Sequence, residues 1–177
     1  GCGNRAPDGT AFSVSHTRNN EKYMKKVLEI FQTRKNISNL SLPGLVFDNI
    51  DFSGIRFISC DFSGCRFNGC SFSKTLIRLC YFSFSYLSSC NFENTDIKYG
   101  VFSGSSIKNC SFARSDIRHT NFLGISGEDL NFNNSDLYHS VFISADLVNT
   151  SFFDCNLKKV NYYKSHLKDV SFKYSNF

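Results

Sequence analysis

Counting in fives from Phe47, the chain places a large apolar residue at 26 of 27 consecutive positions, ending at Phe177. The series runs Phe47, Phe52, Phe57, Phe62, Phe67, Phe72, Ile77, Phe82, Leu87, Phe92 and onward, and only Gly127 interrupts it. A period of five matches neither the 3.6 of a helix nor the 2 of a strand, so no single regular element accounts for it. Two residues before each large one stands a residue that from Cys60 onward is mostly small: Cys65, Cys70, Thr75, Cys80, Ser85, Cys90, Thr95. A spacing of two puts both side chains on one side of an extended segment. The three remaining residues are mostly Asp, Asn, Ser, Gly, Lys and Arg, which suit turns and water. The unit is therefore a very short strand with two inward side chains, followed by a turn. It cannot bury its own apolar residues, and only stacking of coil on coil at about 4.8 Å provides a core.

From Phe72 the large residue alternates aromatic and aliphatic through to Leu167. In the four-sided coil of twenty that the resemblance described next implies, this period of ten puts aromatics on two opposite sides and Ile or Leu on the other two. Phe72, Phe92, Phe112, Phe132 and Phe152 are expected to stack on one side, and Phe82, Phe102, Phe122 and Phe142 opposite.

The repeats Ala145-Asp146-Leu147, Ser135-Asp136-Leu137, Ser115-Asp116-Ile117, Cys155-Asn156-Leu157 and Cys90-Asn91-Phe92 follow the pattern A(D/N)LXX, with Phe allowed for Leu. In this the sequence resembles the pentapeptide repeat proteins, over about three quarters of its length. The resemblance implies an all-β solenoid, a right-handed quadrilateral β-helix with four pentapeptides per coil. The 27 units then give about seven coils.

Ahead of the repeat, residues 1–19 read as a loop or arm, 20–35 as an amphipathic capping helix, and 36–177 as the β-helix. Asn20 suits an N-cap. After it, Tyr23, Met24, Val27, Leu28, Ile30 and Phe31 fall at helical spacing, opposite Lys22, Lys25, Lys26 and Glu29. The favoured role is to close the open end of the solenoid; a membrane-surface or partner helix is the alternative. No apolar run is long enough to cross a bilayer. The chain stops inside a repeat with no polar capping unit, which reads as a fragment of a longer protein.

Residues 1–46 carry seven Lys or Arg against three Asp or Glu, and residues 47–177 carry 13 against 12, so the solenoid is near neutral. Seven of the eight cysteines (Cys60, Cys65, Cys70, Cys80, Cys90, Cys110 and Cys155) occupy the small inward position, where they act as core filler rather than as disulfides or metal ligands. Cys2 reads as a loop residue. Free thiols fit a reducing compartment: the cytoplasm, or a host cytosol for a secreted protein. No cofactor and no metal are expected, and no catalytic constellation stands out. His16, His119, His139 and His166 lie apart or at wall positions, and the recurring Asp serves the backbone.

Unrolled at twenty residues per coil, one side displays Tyr81, Phe84, Val101, Leu123, Val141, Ile143 and Tyr163 outward, the candidate partner surface. Another carries Arg78, Lys98, Arg118, Tyr138 and Lys158 in a column beside Asp96, Asp116 and Asp136, with Tyr99, His119 and His139 alongside. The acidic column argues for a self-neutralised ladder and against a nucleic-acid track. At Gly127, enlarged neighbours Ile125 and Leu130 are expected to fill the gap.

The favoured function is a non-enzymatic protein–protein interaction scaffold, bacterial and of the secreted-effector type, with a protein partner and a homodimer through an open coil end or the apolar wall as the self-association it allows. The resemblance implies two alternatives. One is the recognition domain of a larger enzyme, such as a HECT-like ubiquitin ligase effector. The other is a DNA mimic that binds DNA gyrase, which the near-neutral solenoid disfavours.

Overall fold

The computed structural model describes residues 21–177. The expected arm, the Asn20 cap and Cys2 lie outside those residues. Within them, helix α1 (Glu21–Thr33) precedes a parallel β-solenoid of about seven turns. Its regular strands are all three residues long: β1 (Asn36–Ser38), β2 (Val46–Asp48), β3 (Arg56–Ile58), β4 (Arg66–Asn68), β5 (Leu76–Arg78), β6 (Tyr86–Ser88), β7 (Asp96–Lys98), β8 (Ser106–Lys108), β9 (Ser126–Glu128), β10 (Asp146–Val148) and β11 (His166–Lys168).

Pairing sets the register. Ile37 faces Phe57, Phe57 faces Ile77 and Ile77 faces Ile97, always one coil of twenty residues apart and always parallel. The first wall has the order β1-β3-β5-β7, and the wall across from it β2-β4-β6-β8-β9-β10-β11. The two walls between them are ladders of single bridges, Tyr81↔Val101↔Asn121↔Val141 and Asn91↔Ser111↔Asn131↔Ser151. The tube is thus four-sided, and the register begins at Ile37, two units before Phe47.

The core is two ladders of rings. Phe52, Phe72, Phe92, Phe112, Phe132 and Phe152 stack at centroid spacings of 4.5–4.9 Å. Phe62, Phe82, Phe102, Phe122 and Phe142 stack opposite at 4.8–5.2 Å. Across the hollow the ladders meet edge to face, as in Phe102–Phe112 at 6.4 Å and 88°. From Phe72 and Phe82 onward each of these rings therefore has two stacked neighbours and edge contacts from the other side, the arrangements the ring quadrupole favours. The aliphatic residues of the other walls fill the remaining width, and Ile77, Ile97, Ile107, Ile117 and Leu137 are fully buried.

The small inward position does more than fill space. Ser115 Oγ accepts from the Thr95 amide at 3.1 Å and donates to the Phe92 carbonyl at 2.8 Å, tying one coil to the one before. Ser105, Ser135 and Ser140 repeat the bridge to Phe82, Phe112 and Ile117. The cysteines do the same with sulfur: Cys65 donates to Leu42 at 3.0 Å and Cys155 to Phe132 at 2.9 Å. All seven are free thiols. The Cys155 thiol is pushed up by burial, and the Cys90 thiol to about 12 chiefly by its contact with Cys110. The filler reading is therefore incomplete. A buried corner leaves backbone groups needing partners, and a short hydroxyl or thiol supplies them.

In every unit from Asn39 to Tyr174, the residue two after the inward large one has φ between 50° and 71°. At the aromatic walls the turn closes with a hydrogen bond, as from the Ser85 amide to the Phe82 carbonyl at 3.2 Å, which with positive φ at the third residue is a type II turn. Gly44, Gly54, Asn94 and Gly104 suit that position; Leu79, Phe84 and Tyr99 occupy it against their intrinsic preference.

Helix α1 closes the first coil. Val27 and Phe31 are buried, and the Phe31 ring sits 5.0 Å from Phe52 and 6.0 Å from both Phe47 and Phe57. It fills the place where a ring of a preceding coil would stack. At the other end, Leu167 and Phe177 are 38% and 72% exposed, so these two members of the five-residue series are not enclosed as the count implies. No helix among the described residues is long and apolar enough to cross a membrane.

Gly127 makes no notch. It lies in β9, in register with Ile107 and Leu147. A β-carbon there would fall 2.8 Å from Leu130 Cδ1 and 2.7 Å from Leu147 Cδ2, so those leucines already occupy the space. Leu130 compensates as expected, and Leu147 rather than Ile125 is the second partner.

Candidate interaction surfaces

Two walls carry the side chains that the sequence singles out. The first is the single-bridge wall of Phe82, Phe102, Phe122 and Phe142. Its outward positions hold Tyr81, Phe84, Leu123 and Tyr163, all exposed, and Val101, Val141 and Ile143, all half-buried. Phe84 and Tyr163 are the most open, at 70% and 64%. The strand amides and carbonyls of this wall are spent on neighbouring coils, as from Phe82 N to Val101 O at 2.7 Å and Tyr81 N to Cys60 O at 2.9 Å. A partner on the wall therefore meets side chains, not a pairing edge.

The sequence reading took one wall at a time and so missed Leu79 and Tyr86. Both are exposed, and with Tyr81 and Phe84 they form a band along one coil that turns two corners. Leu79 is the left-handed residue of its turn, and Tyr86 is held by the Arg66 guanidinium 4.5 Å above its ring. The signal was present in the stretch Leu79-Cys-Tyr-Phe-Ser-Phe-Ser-Tyr86, whose inward residues are Cys80, Phe82 and Ser85 and whose other large residues therefore face out.

The second wall is the one built on β1, β3, β5 and β7. Arg78 pairs with Asp96, Lys98 bridges Asp96 and Asp116 at 3.2 and 2.9 Å, and Arg118 holds Asp116 at 2.6 Å with Asp136 at 3.8 Å. The Asn156 amide then donates to Asp136 at 2.8 Å. Charge is cancelled along the column as expected, and Lys158 stands below it, exposed. Burial would raise the Asp116 carboxyl, but the Arg118 and Lys98 hydrogen bonds outweigh it and hold it below the usual range. Beside the column Tyr99, His119 and His139 stack on one another at 5.2 and 5.3 Å, so their faces are spent on each other rather than open to bases.

Elsewhere the Asp or Asn before the inward residue serves the local backbone. Asp51 accepts from the Ser53 amide at 2.9 Å and Asn121 from the Leu123 amide at 2.8 Å. Among the described residues no group of three or more His, Cys, Asp or Glu is placed to hold a metal ion.

Family models for pentapeptide repeats match residues 38–75, 77–112 and 85–124, and one for a pentapeptide repeat region matches 105–177. The chain belongs to the pentapeptide repeat family. Among solved structures it is similar to HetL, a pentapeptide repeat protein involved in heterocyst differentiation regulation in Nostoc (13% identity, 86% of this chain and 93% of that chain, TM-score 0.39). It is also similar to QnrB1, a plasmid-mediated fluoroquinolone resistance protein (14%, 75% and 82%, 0.28), and to a pentapeptide repeat protein of the Arabidopsis thaliana thylakoid lumen (16%, 65% and 67%, 0.32). No curated protein sequence matches.

Proposed function

We infer that the chain is a non-catalytic repeat scaffold that binds another protein through the wall of Tyr81, Phe84, Leu123 and Tyr163. The carrying observation is that large apolar side chains, Phe84 among them at an unfavourable backbone angle, stand in water on a wall whose backbone is already paired. Aromatic anchors ringed by small polar residues are the composition of interface centres. Val101, Val141 and Ile143, half-buried, extend the surface between them. A secreted bacterial effector is the finer form of this reading, supported by the Ser-, Asn- and Phe-rich character of the repeats.

The test is site-specific photo-crosslinking. A crosslinker at Phe84 or Leu123 is expected to trap a discrete protein partner, whereas one at Lys74 or Asn134, on corners away from the wall, is not. Replacing Phe84, Leu123 and Tyr163 together with Ser should abolish the adduct. Equal yields at all positions, or an adduct indifferent to that replacement, would exclude the wall.

A further inference from the structure

One group of chemistry-bearing side chains is left unused by the interaction reading. His119 and His139 occupy the same turn position of successive coils, with φ of 56° and 62°. The His119 amide donates to the Tyr138 carbonyl at 3.0 Å and the His139 amide to the Lys158 carbonyl at 3.1 Å, so both backbones are fixed in the coil ladder. Their imidazoles stack face to face, centroids 5.3 Å apart and 21° from parallel. Tyr99 stacks on His119 at 5.2 Å, and Tyr138 packs edge-on against both rings at 5.9 and 5.4 Å. Ring faces are thus partly covered, while both histidines remain exposed.

The carboxylates of this wall are committed elsewhere: Asp116 to Lys98 and Arg118, Asp136 to Arg118 and Asn156. His166 differs, because its Nδ1 lies 3.0 Å from the Asp146 carboxylate. Among the described residues, His119 and His139 have no such ion pair with a carboxylate.

We propose that His119 and His139 form a two-imidazole site for a borderline divalent transition metal (copper, nickel or zinc), with water completing the coordination. Neutral imidazole is a ligand suited to these ions, whereas calcium and magnesium prefer oxygen. A metal–nitrogen bond of about 2.0–2.1 Å needs the two nitrogens to converge to about 3 Å. In a face-to-face stack the in-plane lone pairs run parallel, so binding turns both rings out of the stack about their side-chain bonds while the paired coil backbones stay in place. Two ligands make a weaker site than the four of a closed structural one. The metal is therefore an exchangeable surface ligand, not a folding element, and copper binds tighter than nickel or zinc.

The experiment is calorimetric titration of the whole chain with Ni²⁺ and with Zn²⁺ at about pH 7.5, comparing wild type with His119→Gln, His139→Gln and His166→Gln. Each of the first two substitutions is expected to weaken one stoichiometric binding event at least tenfold, and the third to leave it unchanged. Binding equal in wild type and in both variants would place the metal elsewhere on the chain and overturn the proposal. So would a loss confined to one of the two. Should a variant fold poorly, the unsubstituted chain decides: paramagnetic Ni²⁺ or Cu²⁺ must broaden the ring protons of His119 and His139 together and ahead of those of His16 and His166. Broadening in any other order overturns the site.

Discussion

The ring of Phe84 lies over the backbone of Gly104, one coil further on, so that a β-carbon on Gly104 would sit 2.6 Å from Phe84 Cε1 and 2.7 Å from Cδ1. Both residues have positive φ, 56° and 67°. Gly104→Ala should therefore cost about 1–2 kcal/mol through the left-handed backbone, with an added cost for displacing the ring. In urea titrations, combining it with Phe84→Asn should remove the ring's share, leaving the double variant more stable than the sum of the two singles. Strict additivity would show that the ring does not rest there.

Phe102 stacks between Phe82 at 4.8 Å and Phe122 at 5.1 Å and is fully buried. Phe102→Ala should cost about 3–5 kcal/mol, because the neighbouring coils are tied by backbone bonds and cannot collapse into the gap. A midpoint in chemical denaturation equal to that of wild type would contradict the inward assignment.

Ser115 is expected to tolerate Cys better than Ala. Alanine removes the bridge between the Thr95 amide and the Phe92 carbonyl, a loss of about 0.5–1.5 kcal/mol, since that carbonyl keeps the Thr95 hydroxyl. Cysteine restores it in the manner of Cys65 and Cys155. Thermal melts ranking Ala at or above Cys would show that size alone governs this position.

The seven coil thiols should stay silent to a thiol reagent such as DTNB near neutral pH until the chain unfolds. Burial carries this: contact between neighbouring thiols raises Cys70 and Cys80 and burial raises Cys155, while the same kind of contact lowers Cys60 and Cys110, yet all seven are closed to reagent. In a Cys2→Ser background, stopped-flow labelling should give no fast phase and seven equivalents in denaturant. A fast equivalent under native conditions would mean an open coil.

Acid should loosen the tube at two places, Asp116 on the wall that continues β7 and Asp51 on the wall of Ser71, Asn91 and Ser111. Asp51 and Asp116 have lowered carboxyl pKa values, Asp51 through hydrogen bonds from the Ser53 hydroxyl and amide, Asp116 through the Arg118 and Lys98 bonds that outweigh its burial. A depressed carboxylate contributes stability above its unfolded pKa of about 3.9 and loses it as pH falls through the lower folded value. Asp116→Asn should flatten the fall in stability below about pH 4 while mattering less at pH 3 than at pH 7. An unchanged acid limb would show that the ladder contributes nothing measurable.

The core was legible because it depends on one number. Once Phe92 and Phe112 are read as equivalent, their stacking at 4.7 Å follows. The ion ladder from Arg78 to Asp136 was legible for the same reason. What escaped depends on atoms within the repeat rather than on its period. Serine and threonine at the small position passed as filler, since a count of sizes does not reveal that a corner amide and carbonyl need a bridge. The left-handed turn residue was masked by Leu79, Phe84 and Tyr99 among the glycines and asparagines. The band from Leu79 to Tyr86 crosses corners that a wall-by-wall reading separates. Leu147 as the filler over Gly127 required the rotamer of a residue one coil away.

A register of twenty residues quantises the lengths this architecture accepts. Gain or loss of one whole turn outside the Asp96–His139 stretch keeps every wall in register, so duplication within the gene can lengthen the tube without disturbing its ion pairs or histidines. A five-residue slip rotates everything downstream by one wall, seats phenylalanine against isoleucine, cuts the Asp96–Arg118 chain of charge and parts His119 from His139. Ten preserves the aromatic alternation but exchanges the two outer faces, so a chain could inherit an intact core and present its partner with the wrong side.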